Sequence, residues 1–199
     1  AGNVTLSGSS TWYTGTMSGT GTTTVAPGGS LSILNGGGSG QPSLQRTLIN
    51  NGTTTWNNVA FDLSGGTIQN NGSFTALGNA TATGSANAAF QNAGTFVKQD
   101  SGSSSIFSSG LPFHNSGTVD VQSGQLNLLG GGTHTGDFNV AAGTTLQLSG
   151  VHSFAASSDL TGAGTIYLAG GSATFGGQLS PTGVVTIALG GTATINSAT

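Results

Sequence analysis

The side chains able to do acid–base or metal chemistry are few and scattered. The chain has five carboxylates, all Asp, with two cations, three His and no Cys. Hydrolysis or elimination on a polysaccharide needs converging carboxylates, or a basic side chain beside a cation. Asp62, Asp100, Asp120, Asp137 and Asp159 fall at unrelated offsets within the repeat described below, so they build no shared cluster. Lys98 and Asp100, two residues apart, read as a surface ion pair. His114, His134 and His152 are joined by no H-x-H or H-E-x-x-H spacing, and without Cys there is no thiolate site. The nearest approach to a calcium-binding β-roll phrase, Gly37-Gly38-Ser39-Gly40-Gln41, lacks the carboxylate. Neither catalysis, nor a metal, nor a cofactor is expected.

Composition narrows the partners. Of 199 residues 37 are Gly and only 4 % are charged, with a net charge of −3. So weak a field steers the chain neither to nucleic acid nor to an anionic membrane surface. No run of about 18 apolar residues is present for a spanning helix, so membrane insertion is not expected. Helix is disfavoured because Thr and Gly dominate while Glu is absent. Disorder is opposed by the apolar content, 34 % of residues, which comes in alternating runs.

Those runs repeat. Leu48-Ile-Asn-Asn-Gly-Thr53, Ile68-Gln-Asn-Asn-Gly-Ser73, Phe90-Gln-Asn-Ala-Gly-Thr95 and Phe113-His-Asn-Ser-Gly-Thr118 share one phrase, with Gly52, Gly72, Gly94 and Gly117 spaced 20, 22 and 23 apart. Looser copies centre on Gly21, Gly136, Gly164 and Gly183. Four positions before the glycine stand Leu48, Ile68, Phe90, Phe113, Leu160 and Leu179; Met17 also fits, and Gly132 breaks the column. Two and four positions after it, further apolar columns follow, with Lys98 as an exception. Columns two residues apart lie on one face of a strand.

A second apolar pair follows most copies, as in Leu126 and Leu128 or Leu146 and Leu148, across a Gly- or Asn-containing turn. The pattern predicts two strands per coil of about 20 residues. So short a unit buries its apolar face only by stacking on identical neighbours. The expected fold is all-β, a single-stranded parallel β-helix (β-solenoid) forming one domain over 1–199, with insertions near 34–47 and 149–159. Asn50, Asn70, Asn92 and Asn115, each two before its glycine, are expected to hydrogen-bond amide to amide as a ladder, with His134 replacing Asn in the next copy. Trp56 falls at an inward offset, whereas Tyr167 and His114 point outward, and Tyr167 is a candidate surface contact. Thr-x-Thr pairs at Thr22, Thr53, Thr81 and Thr192 hint at an ice-ordering face but are irregularly placed.

Phrases such as Phe113-His-Asn-Ser-Gly-Thr-Val-Asp-Val-Gln-Ser-Gly-Gln-Leu-Asn-Leu128 and Leu160-Thr-Gly-Ala-Gly-Thr-Ile166 resemble the β-strand repeats of large bacterial surface proteins, the filamentous-haemagglutinin-like adhesins and autotransporter passenger repeats. The resemblance covers about residues 48–195. It implies secretion, a cell-surface or matrix location, and adhesion or scaffolding, and it brings no catalytic residue with it. Both ends read as plain strand text without a cap, so the chain is expected either to stack end to end with further copies into a filament or to belong to a longer rod. The expected partners are therefore further copies of the chain, or a glycan on a neighbouring surface.

Overall fold

Alternating apolar and polar residues, broken every few positions by Gly, Asn or Ser, produce short strands that turn sharply and pair only with the coil before and after. The computed structural model describes residues 2–37, 40–100, 102–188 and 190–196. Its strands form three sheets of ten, nine and nine members, every recorded pairing is parallel, and each strand pairs with the one three places along the chain. The chain is a parallel β-solenoid with three strands per coil, one on each face. At the usual strand spacing of about 4.8 Å, nine coils make a rod about 40 Å long.

Three strands per coil, against the two expected, shift the register of part of the chain. The first face holds the strongest repeat, in which Leu48, Ile68, Phe90 and Phe113 lie directly over one another. Leu160 and Leu179 do not belong to that stack. They pair with each other and with Phe138 on the second face, and Leu179 is only partly buried. Met17 lies on the third face against Leu44, and the residue beneath Leu48 is Thr23.

The glycines divide in the same way. Gly29, Gly52, Gly72, Gly94, Gly117 and Gly136 stack at the corner between the first and second faces. Gly164 and Gly183 stack at the corner between the second and third faces, and Gly21 at the corner between the third face and the first. All three corners place a small residue just ahead of a strand, so their local text is alike while their phase differs by about a third of a coil.

The two stretches expected as insertions contain regular rungs. Pro42–Leu44 is a strand of the third face, paired with Gly15–Met17 and with Phe61–Leu63. Val151–Phe154 is a strand of the first face between Gly132–His134 and Gly171–Phe175. Gly38 and Ser39, within the first stretch and the calcium-roll-like phrase, lie outside the described residues, as do the final residues 197–199 of the C-terminal strand text.

The inward side chains fill the space between the faces. Phe74, Phe90, Phe96, Phe107 and Phe113 form a continuous aromatic cluster, with Phe90 stacked on Phe113 at 5.0 Å and Phe107 edge-on to Phe113 at 5.0 Å. Trp56 is buried against Phe107, and its indole nitrogen donates to the Val59 carbonyl at 2.8 Å. Each such ring contributes a large buried area.

Candidate functional site

A polar seam runs through the interior along the first face. Asn50 Nδ2 donates to Asn70 Oδ1, Asn70 Nδ2 to Asn92 Oδ1, and Asn92 Nδ2 to Asn115 Oδ1, each at 2.7 Å. The second amide hydrogen of Asn50, Asn70 and Asn92 reaches the carbonyls of Ser73, Thr95 and Thr118, at 2.9, 3.0 and 3.0 Å. All four amides are buried. The ladder arises because identical side chains recur at the same turn in successive coils, so each supplies what its neighbour lacks. It stops below at Asn50, whose Oδ1 is buried without a partner over Val25, and above at His134.

His134 begins a different arrangement. Its Nε2 lies 3.0 Å from Nδ1 of His152, whose Nε2 faces the carbonyls of Ser149 and Leu128 at 3.0 and 3.2 Å. Two carbonyls at His152 Nε2 require a proton there, so His152 Nδ1 accepts and His134 Nε2 donates. His134 Nδ1 is then an acceptor, and it is buried without a partner. Phe138 and Phe154 pack against the His134 ring at 5.0 and 4.5 Å. Burial, helped by the like charges of His152 and His114, pushes His134 down to about 2, and burial also lowers His152. The pair is a neutral structural element at ordinary pH.

Lys98 departs from the expected surface ion pair. Its side chain is fully buried in the second-face column between Ala76 and Val121. The ammonium reaches the corner between the second and third faces, where Ser103 Oγ accepts at 2.6 Å and the Gln99 carbonyl accepts as well. Asp100 offers its backbone carbonyl, at 3.5 Å. Desolvation lowers the Lys98 pKa below its ordinary value, partly opposed by the Asp100 charge. The inward alternation had pointed to this position, and the ammonium reaches polar groups only because the corner lies within the length of a Lys side chain.

Four of the five carboxylates, those of Asp62, Asp120, Asp137 and Asp159, accept hydrogen bonds from neighbouring groups. Asp137 Oδ1 accepts from the backbone N–H of Asp159, and Asp159 Oδ1 from that of Gln178, each at 3.0 Å. Asp120 is held by the side chains of Gln122 and Asn139 at 2.6 and 3.1 Å, and Asp62 by Ser64 and Thr83. Asn3, Asn58 and Asn79 serve neighbouring coils as acceptors in the same manner as Asp137. Apart from the Ser64–Asp62 and Gln122–Asp120 bonds, which lie within a coil, these bonds join adjacent coils and hold them in register.

The outward surface offers neutral hydrogen-bonding rows. Tyr167, half-buried on the third face, stands between Gln147 and Thr186. On the second face Ser9, Ser30, Thr53, Ser73, Thr95 and Thr118 align, and beside them Thr11, Ser32, Thr55 and Thr75. The Thr-x-Thr pairs are scattered over all three faces, with Thr22 and Thr192 on the first, Thr53 on the second and Thr81 on the third. The regularity on the second face depends on Ser standing in for Thr.

The first face carries a concavity. A groove of about 450 Å³ crosses four coils and is lined outwardly by Gln69, Gln91, His114 and Thr133 in one row, with Asn71, Ala93, Ser116 and Thr135 beside them. Thr133 donates its backbone N–H to His114 Nδ1 at 3.2 Å, and its Oγ1 lies 2.9 Å from the same atom. His114 therefore carries its proton on Nε2 when neutral.

The fold and these surfaces together define a three-faced parallel β-solenoid repeat protein with a polar seam inside and mostly uncharged polar rows outside. A comparison with protein-family models, with curated proteins and with solved structures finds no match to this chain.

Proposed function

We propose that the chain is a structural and adhesive rod of the extracellular surface, akin to the adhesin and autotransporter repeats that its phrases resemble, and that copies associate by stacking coil on coil. The observation that supports this reading most is that the interior is a continuous pillar and the strand edges are parallel and repetitive. Each coil is a template for the next. In the last coils described, Val185, Ile187 and Ile195 are 42, 53 and 59 % exposed, whereas Ile166, Leu168 and Phe175, one coil earlier, are buried. Apolar side chains on an open strand edge favour a further coil there, whether from a continuation of the same chain or from another copy. Purified protein imaged by electron microscopy over a range of concentrations tests this. Rods that lengthen with concentration are expected; compact particles of one size at every concentration overturn the stacking. Labelling of the intact source cells with an antibody to the chain tests its place at the surface.

A second reading has its own observation. The in-register hydroxyl rows on the second face, from Ser9 to Thr75, are regular, rigidly backed and free of charged side chains, as a surface that orders water into ice requires. Thermal hysteresis that disappears in a Thr55→Lys, Thr75→Lys double variant would support it. Freezing behaviour no different from that of an inert protein at equal concentration would remove it.

A further inference from the structure

We infer that the groove on the first face, from Gln69 to Thr133, is a binding site for a linear, uncharged polysaccharide lying along the rod axis. This deepens the adhesive part of the reading above and rests on it, but the rod itself does not require it.

Chemistry selects the ligand. The groove presents amides, hydroxyls and one imidazole N–H, a mixture of donors and acceptors that suits sugar hydroxyls, which are both. Just past the second-face strands, Gln99 Nε2 donates to Gln122 Oε1 at 2.7 Å, and Gln122 Nε2 donates to Asp120. Gln69 and Gln91 are also neighbouring rungs, yet no such bond joins them, so both amides remain available. His114 turns its Nδ1 to Thr133, which leaves Nε2–H as a donor.

Charge excludes the alternatives. Arg46 is tied to the carbonyls of Gly21 and Gly2 at 2.9 and 2.8 Å, and Lys98 is buried on another face. Neither cation lines the groove to hold a uronate, sulfate or phosphate. Nor does the groove contain a large apolar side chain, the usual anchor for a protein partner. Its volume lies within the range of sites that hold small ligands.

Geometry selects a chain over a single sugar. Gln69, Gln91 and His114 occupy the same outward position in successive coils, so a hydrogen-bonding group recurs about every 4.8 Å along the axis. A ligand that is itself a repeat of hydroxyl-bearing units meets them in turn. Ala93 and Ser116, small residues in the neighbouring row, leave the room in which it lies.

The test uses isotope-labelled full chain and NMR, with cellohexaose, mannohexaose and laminarihexaose as neutral probes and hexagalacturonate as the charged one. At least one neutral hexasaccharide is expected to shift the side-chain amide signals of Gln69 and Gln91, with dissociation constants between micromolar and millimolar. Gln91→Ala and His114→Ala should each weaken that binding tenfold or more, while Gln147→Ala, on the third face, should leave it unchanged. Circular dichroism of the variants confirms that the coil is intact. No response to any neutral probe overturns the inference, as does equal binding by Gln91→Ala or a preference for hexagalacturonate. Concentration-dependent rods in the microscope with no glycan response would reject the groove while leaving the rod standing.

Discussion

His134 and His152, one coil apart in sequence order, meet inside the rod with Nε2 of the first 3.0 Å from Nδ1 of the second. The contact joins two columns of the first face. His134 continues the Asn column, whereas His152 follows Phe113 and Gly132 in the adjacent one. It works only while both rings are neutral, because a proton on His134 Nδ1 would be buried without an acceptor among aromatic rings.

Acid should therefore weaken the rod through this pair. His134 titrates near 6.5 when unfolded and near 2 when folded, so the unfolded chain binds more protons between those values. Stability is expected to be full above about pH 7 and to fall as pH drops through 6.5, by at most about 1.4 kcal/mol per pH unit from His134 alone. His152, also lowered, acts in the same direction. Urea midpoints measured from pH 8 to pH 4 should decline in the parent and decline less in His134→Asn. A slope unchanged by that substitution would show that the pair does not carry the acid sensitivity.

The Asn ladder predicts a directional cost. Asn92 sits in its middle, accepting from Asn70 and donating to Asn115. Asn92→Ala leaves a buried acceptor on Asn115 and a donor on Asn70 with one partner fewer, which should cost about 3 kcal/mol. Asn92→Asp keeps the shape and the acceptor but removes the donor, and it buries a carboxylate; it should destabilise more at pH 8 than at pH 4. Denaturant unfolding of both variants at the two pH values measures this. Equal loss for Asp at both pH values would argue that the amide acts as filler.

The fold class was legible because the apolar pairs and corner glycines recur at nearly constant spacing, and the Asn positions could be aligned on them. The number of strands per coil was not. All three corners use small residues before a strand, and all three faces bury residues two apart, so local text does not reveal which face it belongs to. Gly164 and Gly183 could thus pass for Gly136's successors, although Ser158 occupies that place on the path of the chain and Gly177 follows it. The long interval from Gly136 to Gly164 was the available signal. Reading 149–159 as an irregular stretch, with Phe154 on an extra strand outside the repeat, also hid the partner of His134, and the groove was invisible because it depends on the shapes of neighbouring rungs.

Lys98 should be dispensable for stability. It is a cation in a column otherwise occupied by Trp56, Ala76, Val121 and Val140. Removing a buried charge and filling the same volume with an apolar chain is often neutral or stabilising. Lys98→Met is expected to raise stability by about 1 kcal/mol at pH 7, less the hydrogen bond to Ser103. Because the Lys98 pKa is lowered on folding, the parent should gain stability as pH rises from that lowered value toward 10.5, and Lys98→Met should not. Chemical denaturation from pH 7 to pH 10 distinguishes them. A loss of several kcal/mol in Lys98→Met would mean that the ammonium holds the corner together.

Two glycines separate close stacking from backbone conformation. At Gly94 a methyl group would overlap the carbonyl oxygen of Gly72 in the preceding coil and crowd the backbone of Asn71. The clash is with backbone, which cannot swing aside without parting two coils. At Gly143 the space around a methyl is open, but φ is +77°, a conformation that costs an L-residue roughly 1 kcal/mol. Gly94→Ala should therefore lose more than about 3 kcal/mol or fail to fold, whereas Gly143→Ala should lose about 1. Gly143→Asn should recover part of that, since Asn tolerates positive φ, as Asn58 and Asn87 do here. Thermal and urea unfolding of the three variants decide the matter. If Gly94→Ala proved as mild as Gly143→Ala, the coils could not be packed as closely at this corner as the stack of glycines requires.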